Sequence, residues 1–247
     1  MYNIVMFENS YSRFFPVPKF LEMPSFGLDV SDESVKYIEL IKTKSGVQVN
    51  RYGEEKIPAG VIESGKIKNP KKMEEILVSL REKEGLKSVR VSLPEEQVYL
   101  FNLKLEKLGL ENIRERIELS LEEYIPIPAQ DAIFDYELLS EDEQNLKLQI
   151  AAIPKNVIED YLSVFRNSRI SANSFELEAQ AIARAVIKRG DLETYMIVDF
   201  GKKRTGIFIV SKGIVIFTST LDVGGAMITN MIKKNFKISF EEAEKKK

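Results

Sequence analysis

The sequence predicts an α/β fold built on two similar hairpins and interrupted by a small α+β insertion. Three observations carry this prediction. At residues 26–38 and 197–208, an apolar strand ends in an aspartate and a short polar turn before a second apolar strand begins. Helical and strand patterns alternate between the two hairpins. Residues 88–153 form a separate run of short strands around one helical segment.

The first half of the chain has clear local signals. A helix begins after Asn69, a typical N-cap residue, because Pro70 suits the first helical position, and it ends at Gly85. Strand patterns flank this helix at residues 26–30, 35–42, 47–52, 88–93 and 98–105.

The second half continues the alternation. We predict helices at 111–124, after Pro154, at 176–189 and after Gly224-Gly225, and strands at 132–138, 146–153, within the hairpin 194–210 and at 213–219. The last residues, Phe240–Lys247, have the pattern of a helix start. We therefore expect the fold to be cut short at its C-terminal end.

Composition excludes several kinds of chemistry. The chain has no histidine and no cysteine, which rules out serine–histidine triads, cysteine nucleophiles, disulfides and histidine-bound zinc. Its net charge is −2 with acids and bases interspersed, so no nucleic-acid partner is expected. No segment has the ~18 apolar residues that span a bilayer. We expect a soluble, cytoplasmic protein whose chemistry depends on carboxylates, hydroxyls, amines and bound metal.

The two hairpin turns are candidate phosphate sites. A turn of this kind directs several backbone N–H groups into one concavity, which can hold a phosphate. The aspartates at the turns, Asp29 and Asp199, can hold a hydrated divalent cation such as Mg²⁺. A single Asp-containing turn is also an ordinary structural feature. Two copies in one chain favour a duplicated nucleotide clamp whose turns face each other.

These motifs resemble the actin-like ATPase superfamily, whose fold is of the ribonuclease H type. The first phosphate motif is similar to Asp29–Lys36, the second to Asp199-Phe200-Gly201 with Thr205, and the connecting helix to Glu176–Ala183. The resemblance implies ATP and Mg²⁺ as cofactors, with both aspartates at the metal. It implies that Ser31, Ser34, Lys36, Gly201 and Thr205 contact nucleotide, although the superfamily usually has glycine where Ser31 stands.

The acidic pair at 176 and 178 and the glycine pair at 224 and 225 each allow a structural interpretation beside the functional one. Glu176 is the catalytic candidate that would position the attacking water, with Glu178 beside it, although an acid is also favourable near any helix N-terminus. Gly224 and Gly225 can bring a helix N-terminus close to phosphate, or simply form a helix-entry turn. The basic run Lys202–Arg204 is most simply a solvated hairpin tip.

Within the superfamily the chain resembles the PilM family of type IV pilus assembly. The aromatic stretch Phe14–Leu21 that leads into the first hairpin, the phrase Glu122–Pro126 and the step Asp222–Gly225 carry this resemblance. It implies a scaffold at the cytoplasmic face of the inner membrane. Such a scaffold binds the N-terminal tail of a PilN-like membrane protein in a groove between residues 26–60 and the insertion, and other pilus assembly components are possible partners.

The resemblance also divides the chain. The expected parts are an N-terminal arm at 1–24, lobe I at 25–87 and 154–192, the insertion at 88–153 and the start of lobe II at 193–247. Nucleotide is then a structural ligand, and the chain is at most a weak ATPase. The alternatives are an active ATPase or small-molecule kinase of the superfamily, or a cell-division protein resembling FtsA.

Overall fold

The computed structural model describes residues 25–43, 46–107 and 112–247, so the predicted arm at 1–24 lies outside the described residues. The strands are β1 Phe26–Val30, β2 Ser34–Thr43, β3 Gly46–Lys56, β4 Ile62–Glu63, β5 Lys66–Ile67, β6 Ser88–Leu93, β7 Tyr99–Glu106, β8 Ala132–Glu141, β9 Asn145–Pro154, β10 Ser171–Leu177, β11 Thr194–Phe200, β12 Thr205–Ser211 and β13 Ile214–Leu221. The α-helices are α1 Pro70–Glu84, α2 Ile113–Tyr124, α3 Lys155–Asn167, α4 Glu178–Val186, α5 Gly225–Phe236 and α6 Phe240–Lys246. None of these described helices is long and apolar enough to cross a membrane.

Lobe I is a five-stranded sheet in the order β10-β6-β1-β2-β3. β1 pairs antiparallel with β2 and parallel with β6, which places Asp29 opposite Lys36 on one side and Ser92 on the other. Helices α1 and α3 contact each other and bury their apolar residues, Met73 and Tyr161 among them, in the core of this lobe. The sheet thereby holds the first hairpin on a rigid base.

Helix α1 has the ends that the sequence predicts. The side chain of Asn69 accepts a hydrogen bond from the Lys72 N–H at 3.1 Å. Gly85 adopts the left-handed conformation (φ 73°), and its N–H donates to the Arg81 carbonyl. Because both caps are local, the sequence alone was sufficient to place this helix.

The insertion is a three-stranded antiparallel sheet in the order β7-β9-β8, with α2 packed on one face through Ile117 and Leu121. The amide of Gln149, buried on β9, donates a hydrogen bond to the Val215 carbonyl on β13. The insertion is therefore a small α+β unit that contacts the last sheet of the chain directly. It begins later than the predicted 88–153, because β6 (88–93) pairs with β1 and β10 and belongs to the sheet of lobe I.

That last sheet, in the order β11-β12-β13, carries the second hairpin. Ala179 and Ala183 of α4 pack against its apolar side chains, including Phe208, in a third core. Small residues on α4 allow the helix to approach the sheet closely. The connecting helix therefore rests on the sheet that presents Asp199.

One element was predicted wrongly. We expected a helix over 176–189, but residues 171–177 form strand β10, parallel to β6, and α4 occupies only 178–186. The segment Ser171–Leu177 is polar over its first four residues, Ala172 excepted, so it lacks the apolar alternation that identifies a strand. Its pairing with β6 provides the hydrogen bonds that make it a strand, and no local pattern reveals that partner.

Candidate functional site

The two predicted hairpin turns lie against each other. The first turn joins β1 to β2 and the second joins β11 to β12. Glu33 bridges them, since its Oε2 lies 2.7 Å from Lys202 Nζ and its Oε1 lies 2.7 Å from Lys203 Nζ. This arrangement agrees with the expectation that the two matched turns share one cleft.

Three carboxyl groups influence one another at this cleft. Burial raises the pKa of Asp29; the Lys36 ammonium opposes this effect and the Asp199 carboxylate adds to it. Burial, followed by the charges of Asp29 and Asp199, raises the pKa of Glu178 to about 8. Because the negative charges of Asp29 and Asp199 disfavour ionisation of Glu178, the cluster favours a proton on Glu178 or a bound cation.

The two candidate acids near α4 have different surroundings. Glu176 is held in an ion pair, with its Oε2 accepting a hydrogen bond from Arg184 Nη2 at 2.6 Å. Glu178, at the start of α4, is the acid whose pKa responds to Asp29 and Asp199. Sequence reasoning chose Glu176 for the water-positioning role. Glu176 lies near the end of strand β10 and Glu178 begins α4, so the two acids have separate environments.

The first turn is bonded within itself. Ser31 Oγ accepts hydrogen bonds from the N–H groups of Glu33 (3.4 Å) and Ser34 (3.2 Å), and it donates to the Ser34 carbonyl at 3.1 Å. The buried Ser34 therefore closes the turn. A phosphate at this turn would compete with the Ser31 hydroxyl for the two N–H groups.

Lys36 is positioned beside the first aspartate. It is exposed and stands opposite Asp29 in the β1–β2 register, and its charge acts to lower the pKa of Asp29. Its ammonium group is therefore near the cleft and remains hydrated, so its charge carries no desolvation penalty. This placement suits either a phosphate contact or an ordinary solvated strand residue.

The second turn requires its glycine. The Gly201 N–H donates to the Arg204 carbonyl at 2.9 Å, and a Cβ on Gly201 would lie 2.9 Å from the same oxygen. Thr205 Oγ1 donates to the Val223 carbonyl at 2.6 Å, which ties β12 to the segment before α5. The hydroxyl of Thr205 thus has a structural partner in this structure.

The start of α5 packs directly on this turn. The N–H groups of Gly225 and Ala226 donate to the carbonyls of Gly201 (3.0 Å) and Lys202 (2.8 Å). A Cβ on Gly224 would lie 2.6 Å from the Lys202 carbonyl oxygen, so only glycine permits this approach. The two glycines bring the helix to the turn, but two of its first N–H groups already have backbone acceptors.

The basic run at the second turn is exposed at Lys202 and Lys203, in line with the interpretation as a solvated tip, but Arg204 departs from it. Arg204 Nη1 lies 3.3 Å from Asp32 Oδ2 and also pairs with Glu96, while Nη2 donates to Ser64 Oγ at 2.9 Å. Asp32 itself accepts from the N–H groups of Ser64 and Gly65, each at 3.0 Å. The acids that pair with these basic residues lie far away in sequence, so the local sequence pattern could not reveal the ion pairs.

Glu95 is a residue of the cleft region that sequence reasoning missed. It is buried, and its Oε1 accepts a hydrogen bond from the Ala179 N–H at 2.7 Å, which caps α4. Its Oε2 has no hydrogen-bond partner within the described residues. Burial raises the pKa of Glu95, and the Ala179 N–H opposes this effect. No nearby residue signals a cap supplied from 84 positions away.

The carboxylates fit a particular kind of cation site. Among residues 25–43, 46–107 and 112–247, no group of three or more acidic side chains is arranged to hold a metal ion. Mg²⁺ is commonly bound through one or two carboxylates, with waters and phosphate oxygens completing its shell. Asp29 and Asp199 are therefore suited to a hydrated Mg²⁺ that arrives with a phosphate ligand, and not to an all-protein metal cage.

A second concave surface lies where the insertion meets lobe I. It is lined by Ile127, Pro128, Asp131, Pro154, Lys155, Asn156 and Glu159. On the lobe side the lining comes from the start of α3, whereas we expected residues 26–60. Strand β8 begins beside this surface at Ala132 and forms one edge of the insertion sheet. Because α3 follows β9 directly, the chain connection itself creates the cleft.

The fold, with its paired turns, is the actin-like ATPase fold. The family model for the type IV pilus assembly protein PilM matches residues 27–247, and the chain belongs to this family. Its likeness to a PilM-PilN type IV pilus biogenesis complex has a TM-score of 0.76 at 17% identity, covering 90% of this chain and 68% of that chain.

Two other solved structures share the fold at lower similarity. The ethanolamine utilization protein EutJ from Carboxydothermus hydrogenoformans matches with a TM-score of 0.54 at 16% identity, over 93% of this chain and 62% of that chain. The cytoplasmic domain of EpsL, an inner membrane component of the type II secretion system of Vibrio cholerae, matches at 0.56 and 10% identity, over 88% and 78%. At these identities the likeness concerns the fold alone.

Proposed function

We propose that this chain is a scaffold of type IV pilus assembly that binds the N-terminal tail of a PilN-like inner-membrane protein. The outer edge of β8 carries the proposal, because within the described residues β8 pairs only with β9, which leaves this edge open beside a cleft in a chain of the PilM family. An extended peptide can add to such an edge through backbone hydrogen bonds, with side-chain pockets setting specificity. The partner would hold the scaffold at the cytoplasmic face of the inner membrane.

The side chains along β8 indicate which peptide residues would fit this edge. Tyr136 and Leu138, alternate residues on one face of the strand, are 36% and 49% exposed and can receive apolar side chains. Asp131, Asp135 and Glu137 are exposed along the same segment, so a tail with basic residues is favoured. A tail that orders on binding would have modest affinity, since ordering opposes association.

The cleft between the hairpins supports a nucleotide as a structural ligand of the scaffold. Asp29 and Asp199 would hold Mg²⁺, which neutralises the charge of the phosphates, and Lys36 would contact those phosphates. Glu178, whose raised pKa of about 8 keeps it protonated at neutral pH, would orient a water molecule in the cleft by hydrogen bonding. The self-bonded first turn favours binding over rapid turnover, since its N–H donors already have acceptors.

Peptide titration tests the scaffold proposal. We expect a synthetic PilN-like N-terminal peptide to bind the full chain in calorimetry. The substitution Leu138→Asp should weaken binding about tenfold or more, because it places a charge on the proposed contact face. Leu119→Asp is the matched control, since Leu119 is 84% exposed on α2 of the same insertion. Equal effects of the two substitutions, or no binding by folded protein, would reject the proposed site.

A further inference from the structure

Glu33 is the acid of the first turn that faces two cations of the second. Each of its carboxylate oxygens lies 2.7 Å from a separate ammonium group, Nζ of Lys202 and Nζ of Lys203. Partial burial acts to raise the pKa of Glu33, but hydrogen bonds from the two lysines outweigh it and lower the pKa. Glu33 is therefore an anion held between two cations at the mouth of the cleft.

The neighbouring arginine differs from the two lysines. Arg204 has several acceptors, including Asp32, Glu96 and Ser64, and its side chain is 23% exposed. Lys202 and Lys203 are 60% and 49% exposed, and Glu33 is the acid that the structure pairs with both. The arginine is thus fixed in a network, whereas the lysine pair can exchange its anion with solvent.

We propose that Lys202 and Lys203 form an anion-binding pair for the phosphates of a polyphosphate ligand, and that Glu33 occupies this pair until the ligand displaces it. The two lysines stand on the same turn as Gly201, between β11, which carries Asp199, and β12, and the start of α5 packs on this turn. A polyphosphate brings several negative charges to two ammonium groups, whereas Glu33 brings one. Polyphosphate therefore competes favourably for the two lysines, and competition from Glu33 raises the ligand concentration that binding requires.

A purely structural role for Glu33 is the competing explanation. An ion pair with this much solvent exposure contributes little to stability, because water and salt screen it. A competing anion must displace this pair and also meets the negative charge of Glu33 beside the two lysines, so both terms act on ligand affinity. Ligand affinity, and not stability, is consequently the property that Glu33 should control.

The inference rests on the nucleotide cleft proposed above, and titration of the full chain tests it. Tripolyphosphate and Mg·ATP would be titrated calorimetrically at low salt into the parent, Glu33→Gln and the double variant Lys202→Ala/Lys203→Ala. We expect Glu33→Gln to bind tripolyphosphate about three- to tenfold more tightly than the parent. The double variant should bind at least about tenfold more weakly. Glu118→Gln, the same charge change on exposed α2, is the matched control and should equal the parent.

Each outcome has a distinct meaning. Tighter binding by Glu33→Gln together with weaker binding by the double variant supports the inference. Equal affinity in the parent and Glu33→Gln overturns it while the proposed nucleotide cleft stands, provided that Mg·ATP binds and that Asp199→Asn weakens it. Binding of neither ligand by any folded variant overturns both the inference and the cleft. The peptide titration described above tests the scaffold proposal separately.

Discussion

Replacing Glu178 by glutamine should change how the stability of the protein depends on pH. Burial and the charges of Asp29 and Asp199 raise the pKa of Glu178 from 4.5 to about 8 in the folded state. A raised folded-state pKa means that the contribution of this group to stability is complete below pH 4.5 and is lost as the pH rises through about 8. The folded parent should therefore become less stable across this window.

The size of the effect follows from the same values. At about 1.4 kcal/mol for each pH unit, the difference between 4.5 and about 8 corresponds to about 5 kcal/mol at most. Glutamine stays neutral at every pH and keeps the shape of the protonated acid. Glu178→Gln should match the parent near pH 4.5 and exceed it by about 3 to 5 kcal/mol at pH 8.5.

Urea unfolding followed by circular dichroism, in EDTA and without nucleotide, measures this difference at pH 4.5, 7 and 8.5. The matched control is Glu176→Gln, two residues away, because Glu176 pairs with Arg184 at a side chain that is 69% exposed. Its effect should stay below about 1 kcal/mol at each pH. If the pH profiles of Glu178→Gln and the parent run parallel, the coupling of Glu178 to the two aspartates is refuted.

Three further outcomes are expected. ATP hydrolysis by the chain should be weak or undetectable, because the first turn bonds its own donors; steady phosphate release that Asp199→Ala abolishes would contradict this. Gly224→Ala should lower the free energy of unfolding by about 1 to 3 kcal/mol, since its Cβ would lie 2.6 Å from the Lys202 carbonyl oxygen, and an unchanged urea midpoint would argue against the close approach of α5. Tyr161→Phe should cost about 1 kcal/mol by the same assay, because it removes the buried hydrogen bond to the Gly65 carbonyl at 3.1 Å, and a gain in stability would count against that bond.

Sequence reasoning succeeded where the signals were local. The caps Asn69 and Gly85 and the two hairpins with Asp29 and Asp199 were placed correctly, since a turn or a cap is determined by a few adjacent residues. The actin-like fold was expected from a resemblance carried by those hairpins and the connecting-helix motif. Strand β10 was missed because its partner strand, and not its own pattern, makes it a strand.

The chemistry of the site was harder to predict, because it depends on contacts between distant segments. Glu176 and Glu178 are the same residue type two positions apart, and only their three-dimensional surroundings separate the ion-paired acid from the one whose pKa is raised. Glu95 reaches α4 from 84 positions away, and the basic run at the second turn finds its acids in the first lobe. Long-range partners of this kind leave no periodic trace in a sequence.

The hydrogen bond from Gln149 to the Val215 carbonyl has a thermodynamic consequence. It joins the sheet whose edge is proposed to receive the peptide to the strand that follows the second hairpin. If this contact differs between peptide-bound and peptide-free forms, occupancy at one end must alter affinity at the other. Linkage requires the effect to be reciprocal: nucleotide would change peptide affinity by the same factor by which peptide changes nucleotide affinity. The buried amide of Gln149 would then couple peptide binding at the insertion to ligand binding at the cleft.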